Sequence, residues 1–380
     1  PEDLLLPFTI AFGMAALLAG CMRLILLWAS MRLTYATGHE LSISIYKRTL
    51  YQSYALHTSR NSSEIINGVT AKTNSTIGVI MMVLTLIGAV VMLSFILVAL
   101  FYLDPSVACA VFGGFGIIYG VIAWITRTQL INNSQQISIQ STQLIKTLQE
   151  GLGGIRDILI DGSQAVYCQV YREADLPLRR AQGNINIIGG SPKFIIEALG
   201  MMLISWFAYF LSTGPDGIIA SIPILGAMAL GAQRLLPTLQ QGYVAWSSIN
   251  GTKASLEDTI DLLDQPLPEY IDQAPEKQLP FNNEIKLKKL GFQYGPKLPL
   301  VVSDITLTIP KGGRVGFIGT TGSGKSTVLD IIMGLLQASE GSIEVDGTRI
   351  SDDNKREWQS HIAHVPQSIF LSDCSIEENI

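Results

Sequence analysis

The sequence predicts an α-helical membrane domain with several spans, followed by the N-terminal part of an α/β domain that contains a P-loop. Two observations predict this order. Five long apolar stretches occupy the first two thirds of the chain, and each reaches the ~20 residues that a spanning helix needs. The segment from Gly319 to Ser326 then reads GTTGSGKS and fits the phosphate-binding pattern G-x-x-x-x-G-K-[ST]. We therefore expect a membrane domain and a phosphate-binding domain in one chain.

The composition is that of a chain largely in contact with lipid. Hydrophobic residues make up 48% and charged residues only 15%, against roughly 25% charged in soluble domains. The formal net charge of -5 argues against a nucleic-acid partner, because such a partner needs a basic surface. The 4 cysteines form no C-x-x-C pair, so we expect neither a metal site nor a disulfide framework. They are Cys21, Cys109, Cys168 and Cys374.

The apolar stretches define five predicted spans, joined in part by tight turns. Turns at Asp104-Pro105 and at Gly214 to Gly217 join spans two and three, and spans four and five, into helical hairpins. The opening stretch is too long for the apolar core of a secretory signal, so a cleaved signal peptide is not expected. The spans are Leu4 to Met31, Thr76 to Leu103, Ser106 to Thr126, Phe194 to Thr213 and Ile218 to Ser247.

The two long connections between spans, residues 32–75 and 127–193, carry many Lys and Arg residues, whereas the tight turns carry none. The positive-inside rule therefore places the long connections in the cytoplasm. Their helical periodicity predicts helices that extend below the membrane. Five spans that begin outside and end inside leave room for a sixth before Pro1. We expect a transmembrane domain over residues 1–250, a polar linker over 251–280, and the N-terminal portion of a nucleotide-binding domain over 281–380.

The last hundred residues alternate between strand and helix patterns. Apolar alternation predicts strands before and after the P-loop, and a helix directly follows it. This order of strand, P-loop and helix is typical of an α/β nucleotide fold. The predicted strands are Ile285 to Tyr294, Val302 to Ile309, Val315 to Ile318, Ser342 to Val345 and Ile362 to Val365, and the predicted helix is Lys325 to Leu336.

The P-loop residues have separate expected roles in binding ATP and Mg2+. Its glycines let the backbone turn its amides toward a phosphate. Lys325 would neutralise β- and γ-phosphate oxygens, Ser326 would ligate Mg2+, and Thr327 would support the α-phosphate. The alternative is a fortuitous glycine turn, against which the flanking strand and helix argue. The predicted phosphate-binding set is Gly319, Thr320, Thr321, Gly322, Ser323, Gly324, Lys325, Ser326 and Thr327.

The segments around the P-loop resemble the start of an ABC exporter ATPase domain. Besides the loop itself, the resemblance is carried by Phe292-Gln293-Tyr294, Glu340-Gly341-Ser342-Ile343 and the segment Val365 to Leu371. It implies that Tyr294 stacks on adenine. It also implies that Gln367 is a catalytic glutamine that reaches Mg2+ and the attacking water. The alternatives are a half-buried strand aromatic at 294 and an ordinary loop amide at 367.

The resemblance extends over the preceding spans and implies an ATP-driven exporter. The signature loop, the Walker B aspartate and the switch histidine of this family would lie beyond Ile380. We therefore expect a piece of a longer protein that cannot hydrolyse ATP by itself. In the family, each ATP lies between two nucleotide-binding domains, which implies a homodimer of half-transporters in the bacterial inner membrane with the ATP-binding domain in the cytoplasm. Coupling helices would fall near Tyr54 to Arg60 and Gly162 to Tyr167, unless these are merely polar helix turns.

Three charged residues interrupt the predicted spans: Arg23, Glu197 and Arg234. Charge inside a membrane is by default a hint of function. Each lies about 24–28 Å from the outer end of its span at 1.5 Å per residue, so all three can share one level. One hypothesis is a cavity whose arginines bind an anionic head group such as a pyrophosphate. The alternatives are arginines that reach to the cytoplasmic interface, or a pair between Arg234 and Glu197.

Two short segments, Gly153 to Leu159 and Leu230 to Pro237, look similar to bacterial flippases of lipid-linked oligosaccharides. This likeness implies an undecaprenyl-pyrophosphate glycan as cargo and supports a role for Arg234. An exporter of peptides or hydrophobic small molecules is the alternative of the same class. A membrane-anchored nucleotide sensor that binds ATP without turnover is the alternative of another class.

Overall fold

The computed structural model describes residues 2–103, 105–212, 235–268, 270–271, 273, 278–366 and 372–379. The chain forms two compact units. The first contains Pro1–Leu50 and Asn61–Pro266, and the second contains Tyr51–Arg60 and Leu267–Ile380. The predictions made for Asp104, the turn at 214–217, most of the fifth span, Arg234 and Gln367 lie outside the described residues.

The first unit is helical, and three of its helices have 49 residues each. At 1.5 Å per residue, such a helix is roughly 74 Å long, more than twice the thickness of a hydrocarbon core of ~30 Å. These helices therefore continue well past the membrane, as their periodicity predicts. The helices are α1 Glu2–Leu50, α3 Ser62–Asn67, α4 Thr73–Leu103, α5 Pro105–Gly153, α6 Ile155–Asp161, α7 Gln164–Ser212, α8 over residues 235–251 and α9 Lys253–Leu263, with helix α2 Tyr54–Ser59 in the second unit and a π-helical turn at Gly68–Lys72 before α4.

Three of the described helical stretches are long and apolar enough to cross a membrane: Leu6–Leu50, Ser62–Ala99 and Gly113–Gly153. Very few of their apolar residues are buried inside the unit, so they are available to lipid. They overlap most of each of the first three predicted spans. The fourth predicted span coincides with the C-terminal part of α7 up to Ser212.

Close helix packing in the first unit depends on small residues. Helix α5 packs along α7, and α1 packs along α4. An added Cβ at Gly38 would lie 2.6 Å from the side chain of Ile77, and one at Gly251 would lie 2.8 Å from Ile185. The absence of a side chain at these two positions lets the neighbouring helices approach closely.

The predicted linker over residues 251–280 contains a packed helix. Helix α9 belongs to the first unit, which ends at Pro266. Its polar composition suits a connector, but Ser255 and Thr259 on its inner face are buried. The Thr259 hydroxyl donates to the carbonyl oxygen of Ser255 over 2.8 Å. Small hydroxyl residues can be buried in this way because the helix backbone itself satisfies them.

The second unit contains a four-stranded antiparallel sheet in the order β2-β1-β3-β4. Leucine, isoleucine, valine and phenylalanine side chains of β1, β2 and the P-loop helix form the main core between sheet and helix. A smaller core surrounds Trp358. The strands are β1 Glu284–Phe292, β2 Val302–Pro310, β3 Glu340–Val345 and β4 Thr348–Arg349, and the helices are α10 Lys325–Ile332, α11 Lys355–Gln359 and a 3-10 turn at Glu377–Asn379.

Three secondary-structure predictions for this unit need correction. The segments 315–318 and 362–365 are not strands in the described sheet. A strand needs a hydrogen-bonded neighbour, and neither segment pairs with a described strand; Ile318 and Val365 are 99% and 87% exposed. Helix α10 ends at Ile332 rather than Leu336, because Gly334 adopts a φ of 68°, which does not continue a right-handed helix.

The start of β1 is held to the end of β3 by a single carboxylate. Asp346 accepts hydrogen bonds from the backbone amides of Asn282, Asn283 and Glu284 at 2.5, 2.9 and 2.8 Å. These bonds favour the charged form, so they hold the pKa of Asp346 below its ordinary value. The carboxylate thereby orders the chain where it enters the sheet.

Candidate nucleotide site

The P-loop has a defined conformation that requires its glycines. Gly322 and Gly324 have φ angles of 84° and 83°, in the left-handed region that favours glycine. An added Cβ at Gly324 would also lie 2.9 Å from the carbonyl oxygen of Val301, and one at Gly319 would lie 2.6 Å from the hydroxyl of Ser323. All three glycines of the loop, two of which the sequence pattern specifies, therefore have a steric or conformational reason to be glycine.

The loop leads directly into the N-terminus of α10. Gly324 is the N-cap residue, and its carbonyl oxygen accepts the amide of Val328 over 3.0 Å. The first amides of a helix have no acceptor within it, and the helix dipole makes this end positive. The end of the loop thus presents unpaired donors and a favourable potential to an anion, which is the arrangement that binds phosphate.

Lys325 folds back over the loop. Its Nζ donates to the carbonyl oxygens of Gly319 and Thr320 at 2.9 and 2.7 Å, and to the hydroxyl of Ser323 at 3.3 Å. The ammonium group is therefore held beside the amides that a phosphate would occupy. The next residue, Ser326, is exposed, and Thr327 is buried.

Tyr294 lies beside the P-loop helix, just beyond the end of β1. Its hydroxyl is 3.2 Å from the hydroxyl of Thr327, and its ring packs edge-on against Phe292 with centroids 4.9 Å apart. The side chain nevertheless remains 50% exposed. The structure therefore brings an aromatic ring, tethered at both ends, next to the phosphate-binding loop.

This arrangement fits the chemistry of ATP with Mg2+. Loop amides and Lys325 suit the phosphates, the Ser326 hydroxyl suits a cation bound to them, and the free face of Tyr294 suits a purine. The described residues contain no group of three or more His, Cys, Asp or Glu side chains that could hold a metal by themselves. Mg2+ is usually bound through one or two protein oxygens together with phosphate oxygens of the substrate.

Two side chains that the sequence analysis did not single out support the far end of α10. The indole Nε1 of Trp358 donates to the carbonyl oxygen of Ile332 over 2.7 Å. The amide of Gln359 donates to the carbonyl oxygens of Gly334 and Met333 at 3.1 and 3.3 Å. They satisfy carbonyls that a helix end leaves unpaired. The signal in the sequence was a lone tryptophan in the polar run KREWQS.

One predicted coupling segment belongs to the second unit. Helix α2 is capped by the Ser53 hydroxyl, which accepts the amide of Leu56. The pKa of Tyr54 in this helix is raised by burial, and further by Asp330 and Tyr294. A cavity of about 430 Å³ in the same unit is lined by Ser53 and Ala55 together with residues of α10, β3 and α11.

The other predicted coupling segment, residues 162–167, forms the turn after α6 and the start of α7 in the first unit.

The structure does not bring the charged membrane residues together among the residues it describes. Glu197 lies 3.9 Å from Lys193, one turn earlier on α7, and its side chain is 44% exposed. Arg23 is exposed on α1, and no ion pair joins it to Glu197 in the described part of the chain. The cavity hypothesis for Arg23, Glu197 and Arg234 therefore stays a prediction.

Comparison with known proteins identifies both units. Residues 2–221 match the family of the ABC transporter transmembrane region, and residues 302–379 match the ABC transporter family. The first match alone covers more than half of the chain. A solved structure of a bacterial Atm1-family ABC exporter with ATP bound superposes with a TM-score of 0.67 at 17% identity, covering 86% of this chain and 58% of that one. At this low identity, the structural likeness shows that the two chains share a fold.

Curated relatives include transporters of different cargo. The Bacillus subtilis glutathione/L-cysteine transport system ATP-binding/permease protein CydC is 30% identical over 189 residues, 50% of this chain and 32% of that protein. The Burkholderia pseudomallei ATP-dependent lipid A-core flippase is 22% identical over 359 residues, 90% of this chain and 57% of the flippase. The chain thus spans between a third and three fifths of the length of these relatives. With its membrane-spanning helices followed by an ATP-binding P-loop region, this chain is a multi-pass membrane protein that belongs to the ABC transporter family.

Proposed function

We propose that the chain is a half-subunit of an ABC exporter that uses ATP to move an anionic lipid, such as a lipid-linked oligosaccharide, across the bacterial inner membrane. The observation that carries the proposal is the P-loop site, in which Lys325 and Tyr294 flank the N-terminus of α10, in a chain that also crosses the membrane. Fusion of the two in this order is typical of an exporter rather than an importer, whose ATPase is usually a separate chain.

At the nucleotide site, this chain supplies positioning and charge. Lys325 exchanges the carbonyls of Gly319 and Thr320 for the β- and γ-phosphate oxygens, which are stronger acceptors because they are charged. The Ser326 hydroxyl would ligate Mg2+, and the ring of Tyr294 would stack on adenine. Gln367 orients the attacking water. When bound, ATP with Mg2+ supplies the phosphoryl group whose transfer to water drives the cycle.

Transport requires a second copy of the chain in this proposal. Two nucleotide-binding domains close on ATP as a homodimer, α2 carries this closure toward the membrane domain, and hydrolysis resets the pair. In this proposal the transporter hydrolyses ATP in each cycle. The alternative is a sensor that binds ATP without hydrolysing it. ATP hydrolysis by the full-length protein would separate the two.

The relatives support two kinds of cargo. The relative that aligns over most of this chain is named as a lipid A-core flippase, which favours a lipid with an anionic head. Another is named as a glutathione/L-cysteine transport system, which favours small molecules or peptides instead. In the lipid proposal, Arg23, Glu197 and Arg234 line the cavity, and the two arginines hold the anionic head.

The test is Lys325→Ala in the full-length protein reconstituted in vesicles. Loss of charge-assisted bonds to phosphate, at about 1.5–3 kcal/mol, should weaken ATP binding by roughly 10–150-fold and stop both hydrolysis and lipid movement. Lys286→Ala is the matched control, because this lysine lies on β1 with its side chain 42% exposed and pairs only weakly with Glu284 at 3.9 Å.

The cargo is distinguished in the same vesicles with three fluorescent probes: an anionic lipid pyrophosphate, a zwitterionic lipid and a short hydrophobic peptide. Selective ATP-dependent movement of the first, lost in Arg234→Ala while ATP hydrolysis continues, supports the lipid proposal. Movement of the peptide that is indifferent to Arg234→Ala supports the alternative cargo. ATP binding without hydrolysis would overturn the exporter proposal.

A further inference from the structure

A polar cluster joins helix α9 to two other helices of the first unit. The ammonium group of Lys72 lies 2.7 Å from Asp258, and the side chain of Lys72 is only 14% exposed. The same carboxylate oxygen accepts the Ser138 hydroxyl over 2.5 Å. One atom of Asp258 thus connects α9 to α5 and to the π-helical turn before α4.

Further contacts surround this cluster on both sides. The hydroxyls of Thr76 and Thr259 lie 3.0 Å apart and are buried. The amide of Ala254 donates to the hydroxyl of Ser134 over 2.9 Å. At the end of α9, Arg48 donates to the carbonyl oxygen of Gln265 over 2.5 Å. Helix α9 is therefore bound along its length, from Ala254 to the residues just before the first unit ends.

The π-helical turn at Gly68–Lys72 sets the geometry of the cluster. An added Cβ at Gly68 would lie 2.6 Å from the side chain of Leu262, so glycine at this position leaves room for α9 to pack closely. A π turn adds one residue to a helical turn and so shifts the faces of the helix that follows it. Here it places Lys72 and Thr76, four residues apart, toward Asp258 and Thr259.

We propose that Asp258 is a positioning residue that makes α9 one rigid body with α4 and α5. The reason lies in connectivity: α9 is the last helix before the chain leaves the first unit at Pro266. A displacement of the chain beyond this point then moves α4 and α5 together with α9, instead of bending a flexible linker. This inference rests on the proposed ATP-driven transport for its purpose, but the rigidity itself can be tested without it.

The test uses spin labels on two exposed positions, Gln136→Cys on α5 and Asp261→Cys on α9, in full-length protein whose native cysteines have been replaced. The distance between labels is measured without nucleotide and with Mg-ATP and vanadate. In the parent protein we expect a narrow distribution that shifts by no more than about 1–2 Å with nucleotide, the scale of helix shifts within a packed interface.

Asp258→Asn keeps the size of the side chain but removes its charge, and should broaden the distribution in the nucleotide-free state. Ser138→Ala, which removes one hydrogen bond, should broaden it less. The matched control is Glu257→Gln, the adjacent residue, whose pair with Lys253 at 3.4 Å is exposed; it should leave the distribution unchanged. The charge swap Lys72→Asp with Asp258→Lys should restore the narrow distribution, which a nonspecific loss of folding would not.

The outcomes separate this inference from the proposed function. A distribution in Asp258→Asn as narrow as in Glu257→Gln, with and without nucleotide, would overturn it. The inference would also be overturned if the charge swap did not restore the narrow distribution that Asp258→Asn loses. If the parent protein hydrolyses no ATP, the proposed function fails, while the nucleotide-free widths still decide whether Asp258 fixes α9.

Discussion

Tyr294 combines two features that a sequence motif cannot reveal together. Its hydroxyl contacts Thr327 and its ring contacts Phe292, while half of the side chain stays exposed. The contacts at both ends fix the ring before a base arrives, so little side-chain freedom remains to be lost on binding. The resemblance predicted an adenine-stacking role for this residue, and the observed geometry supports that role without testing it.

Substitution at position 294 should separate the ring from the hydroxyl. Tyr294→Ala removes a stacking face worth about 1–3 kcal/mol, so ATP binding should weaken by roughly 5–150-fold. Tyr294→Phe keeps the face and loses only the contact to Thr327, so binding should remain close to that of the parent protein. Titration with ATP and with inorganic triphosphate makes the comparison, since triphosphate offers no base to stack. Equal losses for both ligands in Tyr294→Ala would contradict the stacking role.

Among single residues, the sequence predicted those with a motif and missed those that act through packing. The three loop glycines and Lys325 follow from a fixed spacing, and the structure gives each a conformational or hydrogen-bonding reason. Trp358 and Gln359 carry no such spacing, because their partners are carbonyls at the end of α10 and just beyond it, some 25 residues earlier in the chain. Contacts of this kind depend on the fold and cannot be assigned from local sequence.

At the level of elements, β1 and β3 meet at an irregular point that depends on one glycine. The register shifts between Lys288 and Gly291, and Lys289 has a φ of 46°. Opposite this bulge, Gly341 has a φ of 73°, and an added Cβ would lie 2.2 and 2.3 Å from the carbonyl oxygens of Lys288 and Lys289. The strand pairing therefore has no room for a side chain at position 341.

Comparison of two glycines should isolate this steric effect. Gly347 has a similar φ of 81° but no neighbour within 4 Å of an added Cβ. Gly347→Ala should therefore cost only the left-handed conformation, about 1–2 kcal/mol. Gly341→Ala should cost more, because backbone atoms must also move. Thermal unfolding of the purified full-length protein, followed by a probe in the second unit, measures the difference. Equal midpoints for the two variants would contradict the role of Gly341.

The elements that sequence reasoning placed correctly are those whose pattern is local. The first three spans, strands β1 and β2 and the start of α10 all follow from apolar periodicity and breakers. The polar run with several Asp and Pro residues after position 250 predicts a linker, whereas α9 packs within the first unit through a buried serine and a buried threonine. For the segments 315–318 and 362–365, an apolar pattern predicts strands that the described sheet does not contain. A local pattern cannot show whether a neighbouring strand is available for pairing.

For the whole molecule, the order of a membrane region and an ATP-binding region was predictable from hydropathy and the P-loop, and the family matches confirm it. The grouping of Arg23, Glu197 and Arg234 was a guess about helix rotation. Hydropathy fixes which residues are in a span but not which way they face. The described contacts place Lys193 near Glu197 on the same helix, and the grouping of the three charged residues stays a prediction.

The topology of the membrane region gives a final prediction. The long connection that contains Cys168 is rich in Lys and Arg, which predicts that it lies in the cytoplasm, and Cys168 is exposed. A membrane-impermeant maleimide should therefore label a variant that retains only Cys168 in inverted vesicles but not in intact cells. A second variant has its only cysteine from Asp216→Cys, in the tight turn predicted to be outside. It should be labelled in intact cells but not in inverted vesicles.

A third variant that retains only Cys374, exposed in the ATP-binding unit, serves as the cytoplasmic reference. Cys168 and Cys374 must react from the same side if α5 and α7 extend into the compartment where ATP is bound. Labelling of Cys168 in intact cells would mean that the long connection lies outside the cell, and it would contradict the predicted topology. The positive charges of the long connections would then need another explanation, because an ATP-binding unit outside the cell would have no nucleotide supply.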